Sequence, residues 1–142
     1  MDSWDLGERY AHNIINDLNR WTVGWIDWNL VLNETGGPNH ADNFCSAPIL
    51  LDTAKDVLLH QSSYYYIGHF ARFINPGARR VLCDASKAAL ESTAFINPDA
   101  SAVVVVMNRT AATARFCLRF GGVDVAAELH PRSIATYLSD LS

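Results

Sequence analysis

The stretch Gly24-Trp25-Ile26-Asp27-Trp28-Asn29-Leu30 is followed by Gly36-Gly37-Pro38-Asn39-His40 and by Asn43-Phe44. Two indoles, a carboxyl and several amides crowd the junction between an apolar run and a Gly-rich loop. Sugar sites use that mixture, because an indole face packs on the C–H face of a pyranose while carboxyl and amide groups fix its hydroxyls. Glycosidic cleavage needs in addition two carboxyls in defined geometry. Glu34 and Asp42 are the acids nearest Asp27, and both fall on the loop with no defined geometry toward it. The residues therefore read as a binding surface without an acid/base pair of its own.

Other chemistry finds less support. The histidines include His60 and His69, nine residues apart, and no pair has the i, i+3 or i, i+4 spacing of zinc helices, so no metal or other cofactor is expected. Cys45, Cys83 and Cys117 lack metal-type spacing and read as buried apolar cysteines, with at least one thiol left outside any intrachain disulfide. Net charge is −4 with Lys and Arg dispersed, and Arg79-Arg80 is too short for a basic patch, which argues against a nucleic-acid surface. No apolar run approaches the ~18 residues of a membrane span. Met1-Asp2-Ser3-Trp4-Asp5 has no apolar core and does not read as a signal peptide. Asn33-Glu34-Thr35 and Asn108-Arg109-Thr110 fit the N-glycosylation pattern, which matters only in a secretory compartment.

The elements that must position these residues fall into two textures. Tyr10, Ile14 and Leu18, with Ile15 and Trp21 alongside, predict an amphipathic helix of about three turns. Residues 22–28 are β-branched and aromatic and predict a largely buried strand. Residues 33–46 form a long loop, and residues 48–51 and 57–60 are short extended pieces. Ser62 or Ser63 can cap a second helix carrying Tyr66, Phe70 and Ile74, which Asn75-Pro76-Gly77 stops. The neighbouring Tyr64 and Tyr65 read as packing of that helix.

Beyond about residue 78 the period changes to two. Leu90, Ser92, Ala94 and Ile96 alternate with Glu91, Thr93 and Phe95. Residues 102–107 are uninterrupted and apolar, as in a strand buried on both faces. Ala114, Phe116, Leu118 and Phe120 alternate with Arg115, Cys117 and Arg119; after Gly121-Gly122, Val123, Val125, Ala127 and Leu129 alternate with Asp124, Glu128 and His130, and residues 134–138 make a last strand. Five or six such strands predict a β-sandwich.

These motifs, with Ala47-Pro48-Ile49, Gly68-His69-Phe70-Ala71-Arg72-Phe73-Ile74 and Ser101-Ala102-Val103-Val104-Val105-Val106-Met107-Asn108-Arg109, resemble in order and spacing the C-terminal part of glycoside hydrolase family 30, in particular its glucosylceramidase (acid β-glucosidase) branch. The resemblance implies an α/β plus all-β architecture: the last β/α units of a (β/α)8 TIM barrel over residues 1–74, and a β-sandwich side domain over residues 75–142. A whole barrel takes ~250 residues, so the expectation is a piece of a longer chain. It implies retaining hydrolysis of the β-glucosidic bond of glucosylceramide or related β-glucosides by two Glu that would lie upstream of Met1, so no catalytic residue is expected in this chain. It further implies that Asp27 and Trp28 end the eighth barrel strand and line the glucose pocket, joined by Asn43. His40-Ala41-Asp42 departs from a loop that in the family often carries an aromatic and a basic residue, which bears on the aglycone. The partners implied are the glucoside and an upstream barrel segment of the same polypeptide, and the location secreted, periplasmic or lysosomal. The alternative is a stand-alone, non-catalytic carbohydrate-binding or structural sandwich module. One tension is built in: neighbours on a regular strand point to opposite faces, so Asp27 and Trp28 share the pocket only if the strand ends or bulges there.

Overall fold

The computed structural model describes residues 3–140, so residues 1–2 and 141–142, the outer ends of the two expected domains, lie outside the described residues. The chain divides into two compact units, Met1–Gly68 and His69–Ser142.

In the first unit, helix α1 (Trp4–Asn19) starts where expected. Ser3 caps it, its Oγ accepting the Asp5 N–H at 3.3 Å, and Asp5 places an acid in the first turn where the helix dipole favours one. The apolar stripe buries Ala11, Ile14 and Ile15. Trp21 lies past the helix end and is exposed, because the last turn closes at Arg20. Helix α2 (Ser62–Ala71) begins against α1: the Gly7 N–H donates to Ser62 Oγ at 3.0 Å, and that hydroxyl donates to the Ser3 carbonyl at 3.0 Å. Trp4 meets Tyr66 edge-on with ring centroids 5.3 Å apart. Gly7 is what permits this approach, since a Cβ there would stand 2.5 Å from Tyr66 Cδ2.

Strands β1 (Val31–Asn33), β2 (Ile49–Asp52) and β3 (Val57–His60) form one sheet, β1 and β2 parallel, β2 and β3 antiparallel. The strand expected over residues 22–28 does not form. Residues 22–27 carry no regular secondary structure and Trp28 lies in a bend, with no ladder partner among the described residues, and Val23 and Ile26 stand exposed where burial was expected. The apolar, β-branched pattern reports a surface made for strand neighbours, not a backbone that pairs by itself.

Helix α2 stops at Ala71, short of Ile74, whose N–H still donates to the Phe70 carbonyl at 3.0 Å. The turn at residues 75–78 then leads into the second unit, where Asn97 ties the connection down: its Oδ1 accepts the Asn75 N–H and its Nδ2 donates to the Phe73 carbonyl.

The second unit is a β-sandwich. One layer is an antiparallel sheet in the order β4 (Arg79–Val81), β5 (Leu90–Ile96), β6 (Ala102–Asn108), β9 (Ser133–Ser139); the other is the hairpin β7 (Ala114–Phe120), β8 (Val123–Leu129). Strand β6 is central, paired along its whole length on both sides, and it is buried on both faces apart from the partly covered Val104. Leu90, Val106 and Leu129 make the core between the layers, with Phe116, Leu118 and Tyr137 packed on it. The alternation of β7 appears as half-buried and exposed residues in turn. That of β8 buries only Leu129 fully at its base, and Val123 and Val125 near the tip are exposed. Toward its tip the hairpin parts from the sheet, leaving a cleft of about 420 Å3 between Val104, Leu118, Val125 and Tyr137.

His69, at the end of α2, gives this unit a pH dependence. Its Nδ1 lies 2.9 Å from Thr136 Oγ1, and that hydroxyl donates to the His69 carbonyl at 3.2 Å. With the threonine proton so used, Nδ1 carries the imidazole proton and donates to Oγ1. Burial holds the His69 pKa below its ordinary value of 6.5. The unfolded chain therefore binds the proton more readily, so the stability His69 contributes is full above about pH 6.5 and is lost as pH falls through its folded value. Urea midpoints taken between pH 7.5 and pH 5 should fall, and His69→Gln should flatten that slope; an unchanged slope would show that His69 is not the group.

Candidate functional site

The segment 22–30 lies beside α1, and its side chains alternate. Trp25, Asp27 and Asn29 are half-buried, whereas Ile26, Trp28 and Leu30 are exposed. Tyr10 on α1 organises the covered side. Its ring meets Trp25 edge-on with centroids 5.7 Å apart, and its hydroxyl donates to Asp27 Oδ1 at 3.3 Å. The same Oδ1 accepts the backbone N–H of Trp28 at 2.9 Å. Asp27 is held toward α1 through its Oδ1, whereas Trp28, at a bend, has 81 % of its surface accessible. Both bonds fall on Oδ1, so the Asp27 carboxyl still has Oδ2 to offer.

Asn43 is carried by the loop between β1 and β2. Asn33 Oδ1 accepts from the Thr35 N–H, the Thr35 hydroxyl and the Gly37 N–H, and the Asn33 N–H donates to the Gly37 carbonyl at 2.7 Å. Gly36 sits at φ +83°, and the Cys45 N–H donates to its carbonyl at 3.4 Å. A Cβ at Gly36 would lie 2.7 Å from the Cys45 carbonyl oxygen, so glycine is required there both by space and by the left-handed backbone. The loop is pinched between residues 36 and 45. Residues 38–44 form an exposed arc that holds Asn43 and Phe44 out to solvent.

The loop acids are otherwise engaged or remote. Glu34 accepts both the Thr53 N–H at 2.9 Å and the Thr53 hydroxyl at 2.7 Å, and those bonds hold its pKa below the ordinary carboxylate value. Among the described residues no group of three or more His, Cys, Asp or Glu could hold a metal ion. The three cysteines are not the buried residues expected: Cys45 and Cys117 are exposed and Cys83 is half-buried. The contact that sequence reasoning passed over is that of Tyr10 with Asp27. Tyr10 read as one more apolar position of the α1 stripe, and the only signal was a hydroxyl where Phe would pack as well.

The two glycosylation patterns fare differently once placed. Asn33 is half-buried with its Oδ1 turned into its own loop. Asn108 is wholly buried, and its Nδ2, the atom a glycan would occupy, donates to the carbonyls of Ala112, His130 and Leu129. A folded chain cannot carry a glycan at Asn108.

Comparison with known proteins gives a consistent result. The model of the glycosyl hydrolase family 30 TIM-barrel domain matches residues 1–74, and that of the glycosyl hydrolase family 30 β-sandwich domain matches residues 77–137. The chain is 48% identical over 111 residues to the lysosomal acid glucosylceramidase of Mus musculus, covering 78% of this chain and 22% of that one. It is 38% identical over 109 residues to putative glucosylceramidase 2 of Caenorhabditis elegans, covering 75% of this chain and 21% of that one. Among solved structures, SrfJ from Salmonella typhimurium superposes with a TM-score of 0.94 at 39% identity, covering 100% of this chain and 33% of that one. The chain thus spans about a fifth of the length of the curated relatives it matches.

Proposed function

The chain belongs to glycosyl hydrolase family 30, combining the end of a TIM barrel with a β-sandwich, and on that premise we propose that it is the C-terminal portion of a retaining β-glucosidase acting on glucosylceramide or related β-glucosides. Residues 1–74 would complete the barrel and residues 75–142 form the side domain. The observation that carries the reading is the match of the two family models, the TIM-barrel domain over residues 1–74 and the β-sandwich domain over residues 77–137, with Trp28 and Asp27 side by side near the end of the segment after α1. Active sites of barrels form at strand C-terminal ends, and an indole free on one face is what a pyranose stacks against. In this reading Trp28 forms a wall of the glucose site, Asn43 reaches a hydroxyl from the loop, and Asp27 fixes the end of the strand and offers Oδ2 to the polar groups nearby.

The two carboxyls of the retaining mechanism, about 5 Å apart with one acting as acid/base and one as nucleophile, belong to the upstream barrel. Support comes from the coverage: the chain corresponds to 22% of the mouse glucosylceramidase and to a barrel end only. A lysosomal or extracellular location belongs to the same proposal and leans on the name of that mouse relative.

The chain alone is therefore expected not to hydrolyse a fluorogenic β-glucoside, whereas the same residues joined to a family barrel carrying the two Glu should do so. Turnover by the isolated chain that disappears in Asp27→Ala or Trp28→Ala would overturn the division of labour.

A further inference from the structure

Resting on the lysosomal or extracellular location proposed above, we infer that Asn33 is an N-glycan acceptor, its glycan leaving from the turn that opens the β1–β2 loop. The pattern Asn33-Glu34-Thr35 alone does not decide this, because Asn108-Arg109-Thr110 has it as well. What separates the two is the direction of the amide. In Asn33 the oxygen is the inward end: Oδ1 accepts the Thr35 N–H at 3.1 Å, the Thr35 hydroxyl at 2.8 Å and the Gly37 N–H at 2.8 Å. Its Nδ2 makes no hydrogen bond among the described residues and is not one of their buried polar atoms, so it is open to solvent. In Asn108 the polarity is reversed, with Nδ2 buried against three carbonyls.

The orientation of the Asn33 amide is a property of the turn itself. All three of its donors come from Thr35 and Gly37, and the Asn33 carbonyl closes the turn by accepting the Gly36 N–H at 3.0 Å. Glu34 and Thr35 are exposed on that turn, and the Glu34 carboxyl is drawn away to Thr53. A glycan is bulky and needs such a surface position. In the transfer, Nδ2 gives one proton to a base and bonds to the anomeric carbon of the sugar. The bond from that carbon to a phosphate oxygen of a lipid-diphosphate-linked oligosaccharide breaks, and the lipid diphosphate leaves with its electron pair. The product is still an amide with its carbonyl intact, so the three bonds to Oδ1 survive and the loop closes as before.

The test is the full-length β-glucosidase containing this chain, secreted from an animal cell behind a signal peptide. Peptides of the folded enzyme are read by mass spectrometry after enzymatic glycan release, which marks each occupied Asn by converting it to Asp. The Asn33 peptide should be marked in most molecules and the Asn108 peptide in none. Thr35→Ala should remove one glycan from the intact mass, and Thr35→Ser, which keeps the hydroxyl, should retain it. Because Asn33→Gln also disturbs the loop, Thr35→Ala carries the test where that variant is not secreted. An unmarked Asn33 in the secreted enzyme, or an intact mass that loses no glycan in Thr35→Ala, would overturn the inference. The location reading fails separately: Asn33 occupied in the animal cell, with the enzyme of the native source found in the cytosol, would leave the acceptor established and remove the compartment.

Discussion

Trp28→Ala is expected to lower kcat/KM for a β-glucoside by ~100-fold or more in the assembled glucosidase, a loss of about 2.7 kcal/mol of transition-state stabilisation. Stability of the isolated chain should hardly change, and that contrast is the informative part. A Trp that served as core would be covered, and truncating it would cost about 3–5 kcal/mol of folding free energy. Trp28 is 81 % exposed in this chain, so in the isolated chain little packing is lost with the side chain, and its thermal midpoint should move by no more than a few degrees. Trp28→Phe keeps an aromatic face but not the N–H, and should recover part of the activity. Steady-state kinetics beside a thermal melt decides the matter. A variant with near-normal kcat/KM, or one that loses stability and activity together, would make Trp28 a packing residue and leave the glucose site without its wall.

Asn108→Ala is expected to be the most damaging single change in the β-sandwich, at about 3 kcal/mol or more, or roughly 12 °C or more in the midpoint of a domain this size. Asn108 ends β6 and is fully buried. Its Nδ2 serves the Ala112 carbonyl at 2.8 Å, the His130 carbonyl at 2.9 Å and the Leu129 carbonyl at 3.4 Å, while Oδ1 accepts the Thr110 N–H at 3.0 Å and the Thr110 hydroxyl at 2.7 Å. One side chain thereby fastens both ends of the β7–β8 hairpin to the four-stranded sheet. Removal leaves several buried groups without partners, and a buried polar network is costly when only partly satisfied. Asn108→Asp keeps the acceptor but sets a buried carboxylate oxygen against three carbonyl oxygens, and should cost at least about as much as the alanine variant. A midpoint shift below about 3 °C for Asn108→Ala would show that water replaces the amide and that the hairpin is held by its apolar contacts alone.

The β-sandwich was legible because its signal is local. Period-two alternation marks β7 residue by residue, and the unbroken apolar run of β6 marks a strand covered on both sides; β5 forms where expected, but its burial does not alternate, since Thr93, Ala94 and Phe95 are all buried beside the central β6. β8 shows where that logic ends: its alternation is as clean, yet Val123 and Val125 stay exposed because burial depends on how closely a hairpin tip lies on its sheet. Residues 22–28 carry a strand pattern without forming a ladder, since pairing needs a neighbour that no local pattern supplies. Asn108 was visible as a three-residue motif, but only the fold reveals that its amide nitrogen faces three carbonyls. Trp28 and Asn43 were picked out by residue type and by family likeness. Tyr10 was not, because a hydroxyl on an apolar helix stripe is one atom of signal, and its meaning lies seventeen residues away in Asp27.

The alternation of residues 25–30 has a consequence for how such a strand finds its place. Its pleat has a period of two, so a slip of one position against any neighbour would preserve the count of backbone hydrogen bonds while exchanging the two faces. Trp28 would then be driven against α1, and Asp27 and Asn29 would line the open side. Backbone pairing is blind to that error. The 3.3 Å bond from the Tyr10 hydroxyl to Asp27 Oδ1 is kept only in the register that turns Asp27 toward α1, so it favours that register over the slipped one.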